Sequence, residues 1–214
     1  MFISRIELDT SRGATRRAIG SMQILHAAVE GCFKAQSQAE PPGRKLWRID
    51  ILRQKLYLLI VSPTVPDAGS LKEQFCARDT VCEIKDYEPF LRRIENGQRF
   101  GFRFRGNPVQ SVAGERGSRG KVSPHVTVAQ KCAWLKTKSQ SCGFSLEDDG
   151  FWLMETGNNN FCRRPGEKPV DISFAVFEGG LTVTDANLFV TSLTQGIGRA
   201  KAYGCGMLTV VRSR

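Results

Sequence analysis

The chain offers little to a metal ion. It has only two histidines, His26 and His125, and none of its seven cysteines forms a Cys-x-x-Cys pair. Neither histidine stands at a zinc-finger offset from a cysteine, so a structural zinc is not expected. The cysteines, at 32, 76, 82, 132, 142, 162 and 205, read as buried reduced thiols. Carboxylates are dispersed. Glu147-Asp148-Asp149 is the one dense run, and with Gly150 beside it, it reads as a hairpin turn rather than a two-metal nuclease cluster. No apolar run approaches the roughly 18 residues of a membrane span, and the N-terminus lacks a signal-peptide core. The expectation is a soluble cytoplasmic protein with no cofactor and no membrane partner.

What the chain has is positive charge. Lys+Arg number 31 against 21 Asp+Glu, for a net charge of +10. Such an excess favours a polyanion, nucleic acid first and an anionic membrane surface second. Its 214 residues make one large domain or two of about 100 each, and a hydrophobic fraction of 41% can supply the cores.

Phe2–Leu8 alternates as a half-buried strand. A polar, basic stretch from Asp9 to Gly20 follows. Ser21 is placed to cap a helix from about Met22 to Ala35, whose apolar stripe is Met22, Leu25, Val29, Cys32 and Phe33. Lys45–Leu52 and Lys55–Ser62 read as strands joined by Arg53-Gln54, and Leu71–Ala77 as a short helix. Arg99–Arg105 alternates perfectly, one face aromatic and one basic. The order β-α-β-β-α-β is the ferredoxin-like arrangement. Gly114–Lys121 is a glycine-rich break that reads as a flexible loop. Beyond it, Val126–Lys138 and Asp185–Leu193 read as helices, and Phe151–Glu155, Asp171–Phe177 and Leu181–Thr184 as strands. The prediction is an α+β chain of two tandem ferredoxin-like (RRM-like) domains with antiparallel sheets, 1–107 and 108–214. The second carries a basic hairpin and a glycine-rich loop.

That loop is the densest signal. From Gln195 to Leu208 it holds Gly196, Gly198, Gly204 and Gly206 together with Arg199 and Lys201. Glycines let a backbone approach a phosphate with its N–H groups exposed; the plainer alternative is a loop that needs tight turns. No Gly-Lys-Ser/Thr follows, so this is no P-loop. The loop precedes the final strand and opens no helix, so it is no dinucleotide fingerprint. A polymer backbone is the ligand such a loop suggests.

His26 is beside the apolar stripe of its helix rather than within it. Gln23 and Glu30 project from the same face. Imidazole titrates near neutrality and can move a proton in RNA transesterification, with Glu30 placed to orient it. Metal-free cleavage needs the ribose 2′-hydroxyl, so the lack of a carboxylate cluster leans toward RNA over DNA. Arg103 and Arg105 share one strand face, and Arg163-Arg164 occupies a hairpin tip. Each pair is either a solvated face or a reader of phosphates. His125, after Pro124, reads as a loop or capping residue.

Three blocks together resemble the CasE family of CRISPR precursor-RNA endoribonucleases. They are the first strand and the helix bearing Leu25-His26, then Phe102-Arg103-Phe104-Arg105-Gly106-Asn107-Pro108, then Phe177–Val183 with the glycine loop through Leu208. Gln130–Leu135 also looks like a family helix. The resemblance implies recognition of a CRISPR repeat stem-loop, metal-independent cleavage 3′ of the stem, and retention of the product in the Cascade complex. It places His26 at the catalytic position and puts Gln23 where the family usually has a tyrosine. It implies RNA contacts for the glycine loop and for Arg163 and Arg164. The alternative is a non-catalytic RNA-binding subunit of the same fold, since an amide cannot exchange a proton as a phenol does.

Overall fold

The computed structural model describes residues 1–33, 43–112, 121–164 and 166–212. Chain order begins with β1 (Phe2–Leu8), α1 (Gly13–Ile19), α2 (Met22–Gly31), β2 (Leu46–Leu52), β3 (Lys55–Ser62), α3 (Gly69–Phe75) and β4 (Glu83–Asp86). These strands make one antiparallel sheet in the order β2-β3-β1-β4. After the short α4 (Glu88–Leu91) come β5 (Arg99–Gly106) and the hairpin β6 (Val109–Val112) and β7 (Lys121–Pro124). Then follow α5 (Val128–Ser141), β8 (Phe144–Ser145), β9 (Phe151–Phe161), β10 (Val170–Val183), α6 (Ala186–Gln195) and β11 (Leu208–Arg212). The second sheet runs β11-β5-β10-β8, with β9 also on β10. Each unit is β-α-β-β-α-β, with its first and third strands central, so both are ferredoxin-like.

One strand sits elsewhere than its sequence position suggests. The expected strand at 99–105 forms, but β5 pairs with β10 and β11 rather than with the first sheet. The fourth strand of the first unit is β4, four exposed residues with no apolar alternation to reveal them. Sheet membership therefore changes before β5, and a division at 107/108 would cut the second sheet. Phe100, Phe102 and Phe104 of β5 are buried; the last stacks between Trp134 of α5 and Phe177 of β10.

Two further differences have local causes. The polar stretch 9–20 contains α1, whose buried face is only Thr15 and Ala18, too small a stripe to read as periodic. The two strands expected at 171–177 and 181–184 are one strand, β10, running through Gly179 and Gly180. Arg53 and Gln54 turn the β2–β3 hairpin with φ of 50° and 65°, the left-handed pair a tight hairpin requires even without glycine. The helix expected to reach Ala35 ends at Gly31; Ala35 and most of the expected loop at 114–121 lie outside the described residues.

The units are joined through their interiors. Arg48 on β2 is almost fully buried. It forms a double hydrogen bond with Asp50 (2.8 and 2.7 Å) and donates to the carbonyls of Arg103 and Met207, both at 2.9 Å, and to Thr209 Oγ1 at 2.7 Å. One guanidinium thus binds β5 and the C-terminal strand region of the second sheet to β2 of the first. A second apolar cluster also crosses the join, packing Leu25 and Val29 of α2 with Phe161, Ile172 and Phe174 of the β9–β10 hairpin.

Candidate nucleic-acid interface and active site

The site begins with α2. Ser21 occupies the cap position with extended backbone, though its side chain makes no capping bond. Met22, Leu25 and Val29 are buried, which turns Gln23 and His26 toward the join between the units, half-buried. Across from them the chain leaves α6 at Gly196, whose φ of 73° ends the helix, and makes a 3-10 turn at Lys201–Tyr203. That turn is bounded by left-handed Ala200 and Gly204. It lays Tyr203 against α2: its ring meets the His26 ring edge-on, with centroids 5.7 Å apart at 67°. The Tyr203 hydroxyl is 3.4 Å from Gln23 Oε1 and accepts from Arg163 Nε at 3.1 Å. Residues from α2, the β9–β10 hairpin and the glycine loop therefore converge around one phenol.

His26 also lines a cleft of about 470 Å³ with Glu30, Arg44, Lys45, Trp47, Gln195 and Ala202, the residue before Tyr203. Glu30 does not orient His26; it accepts from Lys45 Nζ at 2.6 Å. Lys45 also stands over the Phe33 ring at 5.0 Å. The buried Trp47 indole N–H has no partner among the described residues. Lys201 donates to the Gln195 carbonyl at 2.8 Å; burial first, and the Arg44 charge second, push its ammonium below the ordinary lysine value. A site that strains cations together in this way favours an anion. Arg44, Lys45 and Tyr203 carried no motif, and only their three-dimensional neighbourhood singles them out.

The expected phosphate contacts divide. Arg163 and Arg164 are exposed on the β9–β10 hairpin, Arg164 beside Glu167 at 3.9 Å, and Arg199 is exposed on the glycine loop. Arg103 is instead committed inward: its Nε lies 3.1 Å from Asp50 and it also pairs with Glu178. Arg105 stacks on Phe174 at 3.8 Å. Of the basic face of β5, Arg103 reaches across to Asp50 of the first unit, while its pairing with Glu178 and the Arg105–Phe174 stacking lie within the second sheet.

The glycine loop divides the same way. Gly204 has φ 73° and a methyl there would lie 2.9 Å from the Trp47 ring; at Gly206, φ 91°, it would lie 2.9 Å from the Ile197 carbonyl. The Gly196 amide donates to Ser192 O at 3.0 Å and the Gly206 amide to Arg105 O at 2.7 Å. These glycines serve close packing, and Gly198, exposed beside Arg199, is the one open to a ligand. His125 is a loop residue whose amide donates to Pro108 O at 3.0 Å, while Thr127 caps α5.

Comparison with known proteins points the same way. The model of a family described as CRISPR associated protein matches residues 1–212. The CRISPR-associated endoribonuclease Cse3 of Thermus thermophilus is 30% identical over 222 residues, covering 98% of this chain and 99% of that one. The CRISPR system Cascade subunit CasE of Escherichia coli is 29% identical over 138 residues, 61% of this chain and 65% of that protein. The structure of endoribonuclease Cse3 bound to a 19 nt RNA superposes with a TM-score of 0.83 at 27% identity, covering 99% of this chain and all of the other. No helix among the described residues is long and apolar enough to cross a membrane.

Proposed function

The chain belongs to the CasE family of CRISPR-associated proteins, and from that premise we propose that it is an endoribonuclease of CRISPR RNA processing. It binds the repeat stem-loop of the precursor, cuts 3′ of the stem, and keeps the product as a subunit of Cascade in the cytoplasm. The reading rests most on one arrangement: His26 at the edge of a cleft holding Arg44 and Lys45, where a phosphate and an imidazole can meet. In this reading the ribose 2′-hydroxyl attacks the adjacent phosphorus, His26 moves a proton, and the cleft cations offset charge on the phosphorane. Gln23 holds a sugar or phosphate oxygen by its amide. Arg163 and Arg164 approach the stem, while Gly198, Arg199 and Lys201 approach the backbone beyond it. Arg103, Arg105, Gly196, Gly204 and Gly206 act behind the surface, fixing the loop and the join.

The metal-independent reading rests on the donor set: no group of three His, Cys, Asp or Glu converges among the described residues. A non-catalytic RNA-binding role is the second reading, favoured by Gln23, which cannot exchange a proton as a phenol does. Incubating the protein with a repeat stem-loop RNA, while measuring binding in parallel, separates the two. Cleavage at a single site beside the stem supports the enzyme; tight binding with no cleavage supports the alternative.

A further inference from the structure

Transesterification moves two protons at once, one off the entering 2′-oxygen and one onto the leaving 5′-oxygen. In an in-line displacement these oxygens lie on opposite sides of phosphorus, so one imidazole cannot serve both. His26 is the only histidine near the cleft, and the second proton carrier must be found among its neighbours. Gln23 has no transferable proton, and the Arg44 guanidinium does not give one up. Lys45, which donates to Glu30 at 2.6 Å, and Lys201, which donates to the Gln195 carbonyl at 2.8 Å, keep further N–H groups and are assigned to neutralising phosphate charge. Among the described residues, the remaining proton donor in contact with the imidazole is the Tyr203 phenol, edge-on to His26.

Its hydrogen bonds give the phenol a direction. The oxygen accepts from Arg163 Nε at 3.1 Å, so its own hydrogen is directed elsewhere. In the free protein the acceptor is Gln23 Oε1 at 3.4 Å, longer than a well-formed hydroxyl bond and easily exchanged for a ligand oxygen. The ring is fixed by Phe161, with centroids 4.8 Å apart, and by the left-handed Gly204 that follows it. A donor held in place with a weak acceptor is poised to deliver its proton.

We propose that Tyr203 is the second catalytic residue of the endoribonuclease reading, the acid that protonates the leaving 5′-oxygen while His26 acts as the base. His26 takes the 2′-hydroxyl proton as the bond from the 2′-oxygen to phosphorus forms. The bond from phosphorus to the 5′-oxygen breaks, and that oxygen leaves as a hydroxyl carrying the phenol's proton. The upstream product keeps a 2′,3′-cyclic phosphate. Solvent then reprotonates the phenolate and receives the proton from His26.

The inference rests on that endoribonuclease reading, and the test separates the two. A stem-loop with sulfur in place of the 5′-oxygen at the cut site has a leaving group that needs no acid. Tyr203→Phe should cleave the natural RNA about 10²-fold or more slower than the wild type, yet cleave the sulfur substrate at close to the wild-type rate. His26→Ala should be slow on both. Incorporating 3,5-difluorotyrosine at 203 keeps the shape and hydrogen bonds but acidifies the phenol, and should move the alkaline limb of the pH–rate profile to lower pH. A Tyr203→Phe variant as fast as the wild type on natural RNA overturns the proposal. So does an equal loss on both substrates, an unmoved alkaline limb, or sulfur rescue of His26→Ala instead. Wild-type protein that binds the RNA but cuts neither substrate overturns the endoribonuclease reading and the proposal with it.

Discussion

His26 owes its availability to its neighbours on α2. Leu25 and Val29 are fully buried and take the helix's anchoring role, so replacing the imidazole leaves the core packing of α2 in place. His26→Ala should therefore slow cleavage by about 10²–10⁴-fold while affinity for an uncleavable stem-loop is nearly unchanged. A variant cutting at the wild-type rate would remove His26 from the chemistry. The cysteines make a second residue-scale prediction. Burial pushes Cys32, Cys76 and Cys205 up to about 11, against about 8.5 for a free thiol. The unfolded chain ionises first, so their contribution to stability is full below about pH 8.5 and is lost as pH rises toward 11. Urea midpoints should fall over that window. Iodoacetamide at neutral pH should label exposed Cys162 and spare Cys205; rapid alkylation of native Cys205 would contradict its burial.

Among the elements, β2 and the β9–β10 hairpin carry opposite duties. Asp50 on β2 neutralises two cations, Arg48 and Arg103, at the join. Asp50→Ala leaves the buried Arg48 charge uncompensated and should cost about 3–5 kcal/mol in urea unfolding; a loss below about 1 kcal/mol would make the network incidental. The hairpin instead presents charge outward. Neutralising Arg163 and Arg164 together should weaken stem-loop binding and flatten the log–log salt dependence by roughly 0.7–0.9 for each phosphate left without its cation. An unchanged slope would take the hairpin out of the interface. Alternation made β5 legible, because its buried phenylalanines are spaced by two. Its basic face was legible as charge but not as a join, since Asp50, the partner of Arg103 in the first unit, lies 53 positions away and no local pattern links them. Four-residue β4 and the small-residue face of α1 left no periodic trace.

At the scale of the molecule, two ferredoxin-like units share one buried arginine network and one proposed catalytic neighbourhood. The charge excess, the glycine loop and His26 were readable one residue at a time. The meeting of Tyr203, Gln23, His26 and Arg163 was not, because it joins positions from three separate elements and needs the left-handed turn at Ala200 and Gly204 to bring them together. The central claim is that this neighbourhood uses the substrate's own 2′-hydroxyl as nucleophile. Cleavage of two stem-loops in excess EDTA, identical except for a single 2′-deoxy substitution at the cut site, tests it most directly. The account predicts that the ribose substrate is cut to a 2′,3′-cyclic phosphate, or the 3′-phosphate derived from it, while the deoxy substrate binds and stays whole. Loss of cleavage in EDTA, or cutting of the deoxy substrate to a 3′-hydroxyl end, would contradict it.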